Sequence, residues 1–383
     1  MKASDTYRGR EQTYIKHLFL ERYLERVVYN IASFRDEFVY VDGFSGPWRS
    51  RDESFDDTSF QIAIRKLREV RDGVERRGRA LKIRCLFIEK DPAAYNELSR
   101  YAGAISDVSI ETLNGEFEHL VPHIARYVGN SFSLVFIDPT GWTGFGLDQI
   151  QPILNMRGEV LVNFMYDDIN RHLLDERPEV SDTFAPLFGR DDWREEIAKS
   201  IAQHGTREEA VVDLYCRSLR SAGGFQHVTY TRIQKPLSDR TYFHLVYGTR
   251  HWKGLVEFRA TEEKVVDIQE QVRDAAKQEH RIERTGQGEL FTPVGNADVS
   301  RSFREHRDVE CARALSEFRA ELAKRGRISY EESLAIFLEH PTVWESDVKR
   351  WLPEMRHIGE IEILGMSERQ RIPKRGNIVV WKR

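Results

Sequence analysis

The stretch FVYVDGFSG, residues 38–46, decides the fold. Its first four residues are apolar with no polar alternation, and Asp42 and the turn Gly43-Phe44-Ser45-Gly46 follow. Such a run reads as a strand buried on both faces and closed by a glycine turn. Strands of that kind belong to parallel sheets. Four further segments are read as strands: LKIRCLFIE (81–89), VSIETLNG (108–115), SFSLVFID (131–138) and GEVLVNFMY (158–166). Helices are predicted between and before them. One spans 12–34, one runs from the start signal Asp57-Thr58-Ser59 to about Arg77, and one runs from Pro92 to about Tyr101. Strands alternating with helices imply a parallel sheet covered on both faces.

Residues 167–224 are polar with helical spacing and are expected to form a helical insertion over the carboxyl edge of the sheet. FQHVTYTRI (225–233) and TYFHLVYGT (241–249), joined by QKPLSDR, predict a hairpin that supplies a sixth and a seventh strand. A helix over about 251–283 follows, and then a linker rich in glycine and polar residues. The C-terminal block reads as helices over 303–325, 330–340 and 345–359, followed by strands at 361–364 and 377–382 joined by a basic loop. Three helices and a hairpin form a winged-helix pattern. The expected fold class is therefore α/β: a Rossmann-like seven-stranded sheet of methyltransferase type with a helical insertion, and a C-terminal winged-helix domain. The expected domains are 1–283, a linker at 284–300, and 301–383.

At 383 residues the chain is longer than one domain usually is. Apolar residues make up 40% and charged residues 31%, the balance expected of an ordinary soluble protein. No window holds 18 consecutive apolar residues, and the N-terminal MKASDTYRGREQTY has no apolar core of signal-peptide type. The three cysteines, Cys85, Cys216 and Cys311, lie far apart with no Cys-x-x-Cys pair. That spacing argues against a zinc or iron–sulfur site, so no metal is expected, and a reducing cytoplasmic location is. A net charge of −4 means that any contact with nucleic acid must come from a local patch.

Ligands of open α/β sheets lie beyond the carboxyl ends of the strands, so the strand-ending residues are the candidates. The first set is Asp42, Gly43, Phe44, Ser45 and Gly46, where backbone can approach a ligand and Asp42 can accept from an ammonium group. It is not the dinucleotide pattern G-x-G-x-x-G. Glu89 ends the second strand, where a carboxylate can take two ribose hydroxyls. Asn114-Gly115-Glu116 ends the third, with Asn114 or Glu116 placed for an adenine amino group. Glu116 reads equally well as a first-turn helix acid. Asp138-Pro139-Thr140-Gly141-Trp142 ends the fourth, with Trp142 offering a stacking face. The ligand expected from this set is S-adenosylmethionine. Tyr166-Asp167-Asp168 could line an acceptor pocket or cap the next helix, and Asn163, on an apolar strand, needs a partner.

With these residues in view, the chain resembles the three-Cys-motif partner proteins, a methyltransferase-like family. The resemblance rests on Lys16 with Tyr23-Leu24, Tyr40 to Gly46, Phe87-Ile88-Glu89, Phe136 to Gly141, Leu161 to Phe164 and Tyr242 to Thr249. It implies a partner protein carrying three cysteines. It is also similar to ribosomal-RNA adenine-N6 methyltransferases, which by analogy make Lys16 a cofactor-side candidate, the alternative being a solvated helix lysine. Amino methyltransferases use an Asp/Asn-Pro-Pro-aromatic loop. Here the second proline is missing and the aromatic comes one place late, so Asp138, Pro139 and Trp142 are acceptor-side candidates without a stated adenine specificity. A cysteine nucleophile is excluded, because Cys85 is mid-strand and Cys216 lies in the insertion.

Lys349, Arg350, Arg371, Lys374 and Arg375 are the candidate nucleic-acid contacts, on the third helix and the basic loop of the C-terminal block. Gln287, Leu290 and Phe291 resemble a sliding-clamp-binding pentapeptide, with docking on the protein's own domain as the alternative. The expected function is methylation of DNA or RNA. The rival readings are methylation of a small molecule or of a partner's product, and a non-catalytic nucleotide- or nucleic-acid-binding protein, for example in phage defence.

Overall fold

The computed structural model describes residues 5–46, 55–285, 301–367 and 369–382. The predicted linker with Gln287, Leu290 and Phe291 lies outside the described residues. The chain divides into two units. The first holds the residues up to Arg250 and those from Val272 to 285, and the second holds His251–Gln271 and the residues from 301.

The first unit is a mixed α/β fold. Its elements run α1 (Glu11–Ala32), β1 (Glu37–Asp42), α2 (Ser59–Glu75), β2 (Lys82–Glu89), α3 (Pro92–Gly103), β3 (Ser109–Asn114), α4 (Val121–Val128), β4 (Phe132–Ile137), α5 (Leu147–Leu154) and β5 (Gly158–Phe164). The insertion follows as α6 (Tyr166–His172), α7 (Pro178–Ser181), α8 (Phe184–Phe188), α9 (Trp193–His204) and α10 (Arg207–Gly223), and then come β6 (His227–Gln234) and β7 (Thr241–Thr249). The seven strands lie in the order β3-β2-β1-β4-β5-β7-β6. β1 to β5 are mutually parallel, and β7 enters antiparallel between β5 and β6.

Local chemistry sets the ends of these elements. Thr58 caps α2 by accepting from the Gln61 amide, and Asp91 caps α3 by accepting from Ala94 at 2.8 Å, with Pro92 at the first helical position. One sheet face buries Val39, Val41, Ile88, Val135, Val160 and Val162 under α4, α5 and α10. The other carries Tyr40, Phe87, Phe136 and Tyr247 beneath α1 and α2, where Phe60 of α2 meets Phe87 and Tyr23 of α1 meets Tyr247. The insertion differs from expectation. Its last helix, α10, packs against a sheet face, because Val211, Leu214 and Tyr215 are apolar and buried, with Tyr215 stacked on Phe164 at 4.4 Å.

The helix predicted over 251–283 is α11 (Trp252–Thr285). It divides between the two units rather than ending the first, because Leu255, Trp252 and Val256 pack into the core of the second. The rest of that unit is α12 (Arg301–Arg325), β8 (Arg327–Ser329), α13 (Tyr330–Glu339), α14 (Glu345–His357), β9 (Ile361–Leu364) and β10 (Ile378–Trp381). The sequence pattern did not predict β8, which completes an antiparallel sheet in the order β8-β10-β9.

His340, at the end of α13, is held between the carboxylates of Glu317 (3.0 Å) and Glu310 (3.6 Å). Burial opposes its charge, but the two carboxylates outweigh that and raise its pKa to about 9. A group whose pKa is raised on folding stabilises the fold fully below its unfolded value of about 6.5, and the gain is lost as pH climbs through about 9. Melting of this unit should therefore fall between pH 6.5 and 9, by at most about 3 kcal/mol and less because Glu317 is mostly exposed. Replacing His340 with Gln should flatten that slope, as read by thermal denaturation across pH.

Candidate functional site

The strand order reverses between β1 and β4. β1 leads outward to β2 and β3, and the chain then returns to place β4 on the other side of β1. At such a switch point the two adjoining loops run in opposite directions and leave a crevice above the carboxyl ends. A cleft of about 250 Å³ lies there. β1 contributes Gly43 and Phe44, β2 Glu89 and Lys90, β3 Gly115 and Glu116, and β4 Asp138, Pro139, Thr140 and Gly141. All four strand ends singled out in the sequence thus meet at one place.

The register explains the convergence. Asp42 pairs with both Phe87 and Phe136, so Glu89 and Asp138, each two residues further on, fall on the same face as Asp42. Asn163 follows Val162, which pairs with Ile137, so it stands beside Asp138. The Asn163 amide donates to Asp138 Oδ1 at 2.6 Å. From α1, Lys16 Nζ donates to Asp138 Oδ2 at 2.5 Å, with both side chains about one-eighth exposed. Lys16 also lies 5.9 Å from the Phe243 ring.

Asp42 is placed differently from expectation. It is fully buried. Its Oδ2 accepts from Ser59 Oγ at 2.7 Å and its Oδ1 from the Phe44 amide at 3.1 Å. Burial pushes its pKa up to about 6 against the lowering effect of those two donors. In this structure it builds the turn under the cleft and is not part of the lining. Ser45 likewise ties β1 to β2, with its hydroxyl donating to the Asp42 carbonyl and its amide to the Ile88 carbonyl. Gly46 is half-buried outside the lining. Gly43 is needed sterically, since a Cβ there would lie 2.6 Å from the Phe117 ring, which packs against Phe44 and floors the cleft.

Glu89 is buried, and its Oε1 accepts from the Asp91 amide at 2.7 Å. Asn114 is turned toward the β2 loop, donating to the carbonyls of Glu89 and Lys90, so it braces the rim. Glu116 is exposed beside His119 at 3.1 Å. Trp142 is directed away from the cleft. Its Nε1 donates to Thr183 Oγ1 at 2.8 Å and its ring stacks on Phe184, so it fastens α8 to the β4 loop. Asp167 and Asp168 sit in the first turn of α6, paired with Lys235 and Arg171 respectively, and do not cap it.

Sequence reading missed Lys90, Phe117, Glu118, Thr143 and Gly144 in the lining. The closely spaced glycines of Gly141-Trp-Thr-Gly144-Phe-Gly146 were the available signal, and Gly144 adopts φ +87°.

Among the C-terminal candidates, Lys349 pairs with Glu345 at 3.1 Å, Arg350 with Asp347 at 3.2 Å and Arg375 with Glu331 at 3.6 Å. Among the described residues Arg371 and Lys374 have no acidic partner. Among these candidates the positive charge without an acidic partner therefore sits on the loop between β9 and β10, while Lys349 and Arg350 each face an acid of their own helix. Among the described residues no helix is long and apolar enough to cross a membrane.

No protein-family model and no curated protein matches the chain. Among solved structures it is similar to a Legionella pneumophila protein assigned to family model DUF519, at 12% identity, TM-score 0.36, and coverage of 62% of this chain and 85% of that one. It is also similar to loganic acid methyltransferase with SAH, at 9% identity, TM-score 0.29, and coverage of 74% and 92%.

Proposed function

We propose that the protein is an S-adenosylmethionine-dependent methyltransferase of the class I type that acts on nucleic acid. The observation that carries this reading is the meeting of Gly43, Glu89, Glu116 and Asp138 in one cleft at the strand-order reversal. The sheet order with an antiparallel β7 agrees with it. The chemistry of the lining supports the choice of ligand. Among the described residues, Glu89, Glu116, Glu118 and Asp138 face the cleft with Lys90, and Asp138 is paired with Lys16. The remaining excess of carboxylates repels a nucleotide phosphate but suits a ribose diol and a cationic sulfonium.

In this reading Glu89 takes the ribose hydroxyls, Glu116 the adenine amino group, and the backbone of Gly43 and Phe44 the amino-acid end. When bound, the cofactor supplies an electrophilic methyl group. The residues of the chain then mainly position the reactants, a contribution of up to about 7–11 kcal/mol. Asp138, with both oxygens oriented, marks the acceptor side. We read the second unit as a winged helix whose loop, with Arg371 and Lys374, meets phosphate. A partner with three cysteines belongs to this reading through the family resemblance.

The test is incubation with methyl-labelled S-adenosylmethionine and, separately, cellular RNA, cellular DNA and a macromolecule-free extract. Label should enter a nucleic acid. Asp138→Ala should keep cofactor binding while losing at least about 100-fold in transfer. Arg371→Glu with Lys374→Glu should weaken uptake with a reduced salt dependence. Label confined to the small-molecule fraction would overturn the nucleic-acid part, and transfer undiminished in Asp138→Ala would show that the acceptor lies elsewhere.

A further inference from the structure

Among the described residues, Arg207 and Arg240 are exposed arginines of the first unit with no acidic partner. Arg207 is the first residue of α10, and Arg240 ends the turn between β6 and β7. The acids beside them in sequence are engaged elsewhere. Glu208 is taken by Arg232 at 3.1 Å, Thr241 at 2.6 Å and the buried His244 at 3.4 Å. Asp239 is taken by Arg273 and Lys277 of α11, at 2.5 and 3.2 Å. Arg273 is 2% exposed and also donates to the carbonyls of Lys235 and Ser238, so the turn that presents Arg240 is held in place from beneath. Arg207 stands at the end of α10 where the helix dipole favours an anion, so its charge does not serve the helix.

The two arginines flank one spot on the carboxyl edge of the sheet. Phe164, His244 and Arg232 pair across β5, β7 and β6. Tyr166, two residues past Phe164, meets the His244 ring at 5.7 Å. Burial and the Glu208 charge push the Tyr166 phenol up to about 12, while Arg207, Arg232 and Arg240 pull it back, so the three guanidinium groups surround that ring. β7 and β6 lie two and three strands from β4. At about 4.8 Å per strand, their ends lie roughly 10–15 Å from the β4 end with Asp138. Guanidinium groups on a fixed edge suit phosphate, whose oxygens accept their N–H donors in pairs.

We propose that Arg207 and Arg240 form a phosphate-binding rim, which holds the phosphodiester backbone of a nucleic-acid acceptor where it reaches the cleft from the β6–β7 side. This rests on the nucleic-acid reading above and adds a contact surface within the unit that carries the cleft.

The probe is a fluorescein-labelled single-stranded oligonucleotide of mixed sequence, as RNA and as DNA. The full chain is titrated into it at several salt concentrations and binding is read by anisotropy. Arg207→Ala/Arg240→Ala should weaken binding about tenfold at low salt. The slope of log affinity against log salt should fall by about 1.4, the share of two single-strand phosphate contacts. Arg177→Ala removes an exposed arginine held by Asp175 and should change neither quantity. Melting of the double variant should match the wild type, because both side chains are exposed. Wild-type binding with an unchanged slope in the double variant overturns the rim alone. A wild type that binds no oligonucleotide at low salt removes the nucleic-acid reading together with the rim. Displacement by inorganic phosphate at equal phosphate concentration would reduce the rim to a site for a single phosphate and overturn the backbone contact. Displacement by poly-glutamate as effective as by unlabelled oligonucleotide would assign the rim to an acidic protein instead.

Discussion

Glu89→Ala should keep the fold and weaken S-adenosylmethionine binding by at least about 100-fold, measured by isothermal titration calorimetry. A carboxylate accepting two ribose hydroxyls makes charge-assisted hydrogen bonds, each contributing about 1.5–3 kcal/mol. Two of them sum to about 3 kcal/mol or more, which corresponds to that loss of affinity. The effect is large because Glu89 is only 2% exposed, so its interactions are poorly screened. Its Oε1 also receives the Asp91 amide, so the substitution loosens the start of α3 as well. Glu116→Ala should cost less, about tenfold, because Glu116 is exposed and already engaged by His119. An unchanged dissociation constant in Glu89→Ala would remove the adenosyl group from this cleft.

Gly158→Ala should destabilise the fold more than any of the substitutions in the cleft. Gly158 opens β5 opposite Ser133 of β4 with φ +154°. A Cβ there would lie 2.0 Å from the Ser133 carbonyl oxygen, which is backbone in the middle of the sheet and has nowhere to move. The strain must part β4 from β5 at the end away from the cleft. A cost of about 3 kcal/mol or more is expected, a fall of roughly 6–12 °C in melting temperature. Ser133→Ala is the control. Its hydroxyl makes only a long bond of 3.4 Å to the Arg157 carbonyl, so the change should be small. Comparable melting of the two variants would show that the close approach is relieved without parting the strands.

Much of this site could be read from the chain because it depends on local pattern. An apolar run ending in Asp or Glu brings that residue to the carboxyl edge of the sheet, and Glu89 and Asp138 line the cleft on that basis. Asn163 was recognisable as a polar residue on an apolar strand that needed a partner. The parts not legible depend on residues distant in sequence. Asp42 is turned inward by Ser59, 17 positions away, and the composition between them gives no hint of it. Trp142 reads as a stacking face in isolation, but Thr183 and Phe184 of the insertion draw it off. Lys349 and Arg350 count as free charge in a composition window, yet Glu345 and Asp347, one helical turn earlier, pair with them. The split of α11 is hidden because one continuous amphipathic helix serves two cores.

The placement of β7 has a bearing on how the chain becomes a protein during synthesis. The strand made last in this sheet lies inside it, with Val160 facing Gly248 and His227 facing Thr249. Until the ribosome has released the segment up to residue 249, β5 presents a bare, apolar hydrogen-bonding edge to solvent. The nascent polypeptide must be shielded over that interval, and shortened versions that stop before the hairpin should aggregate rather than fold as smaller units.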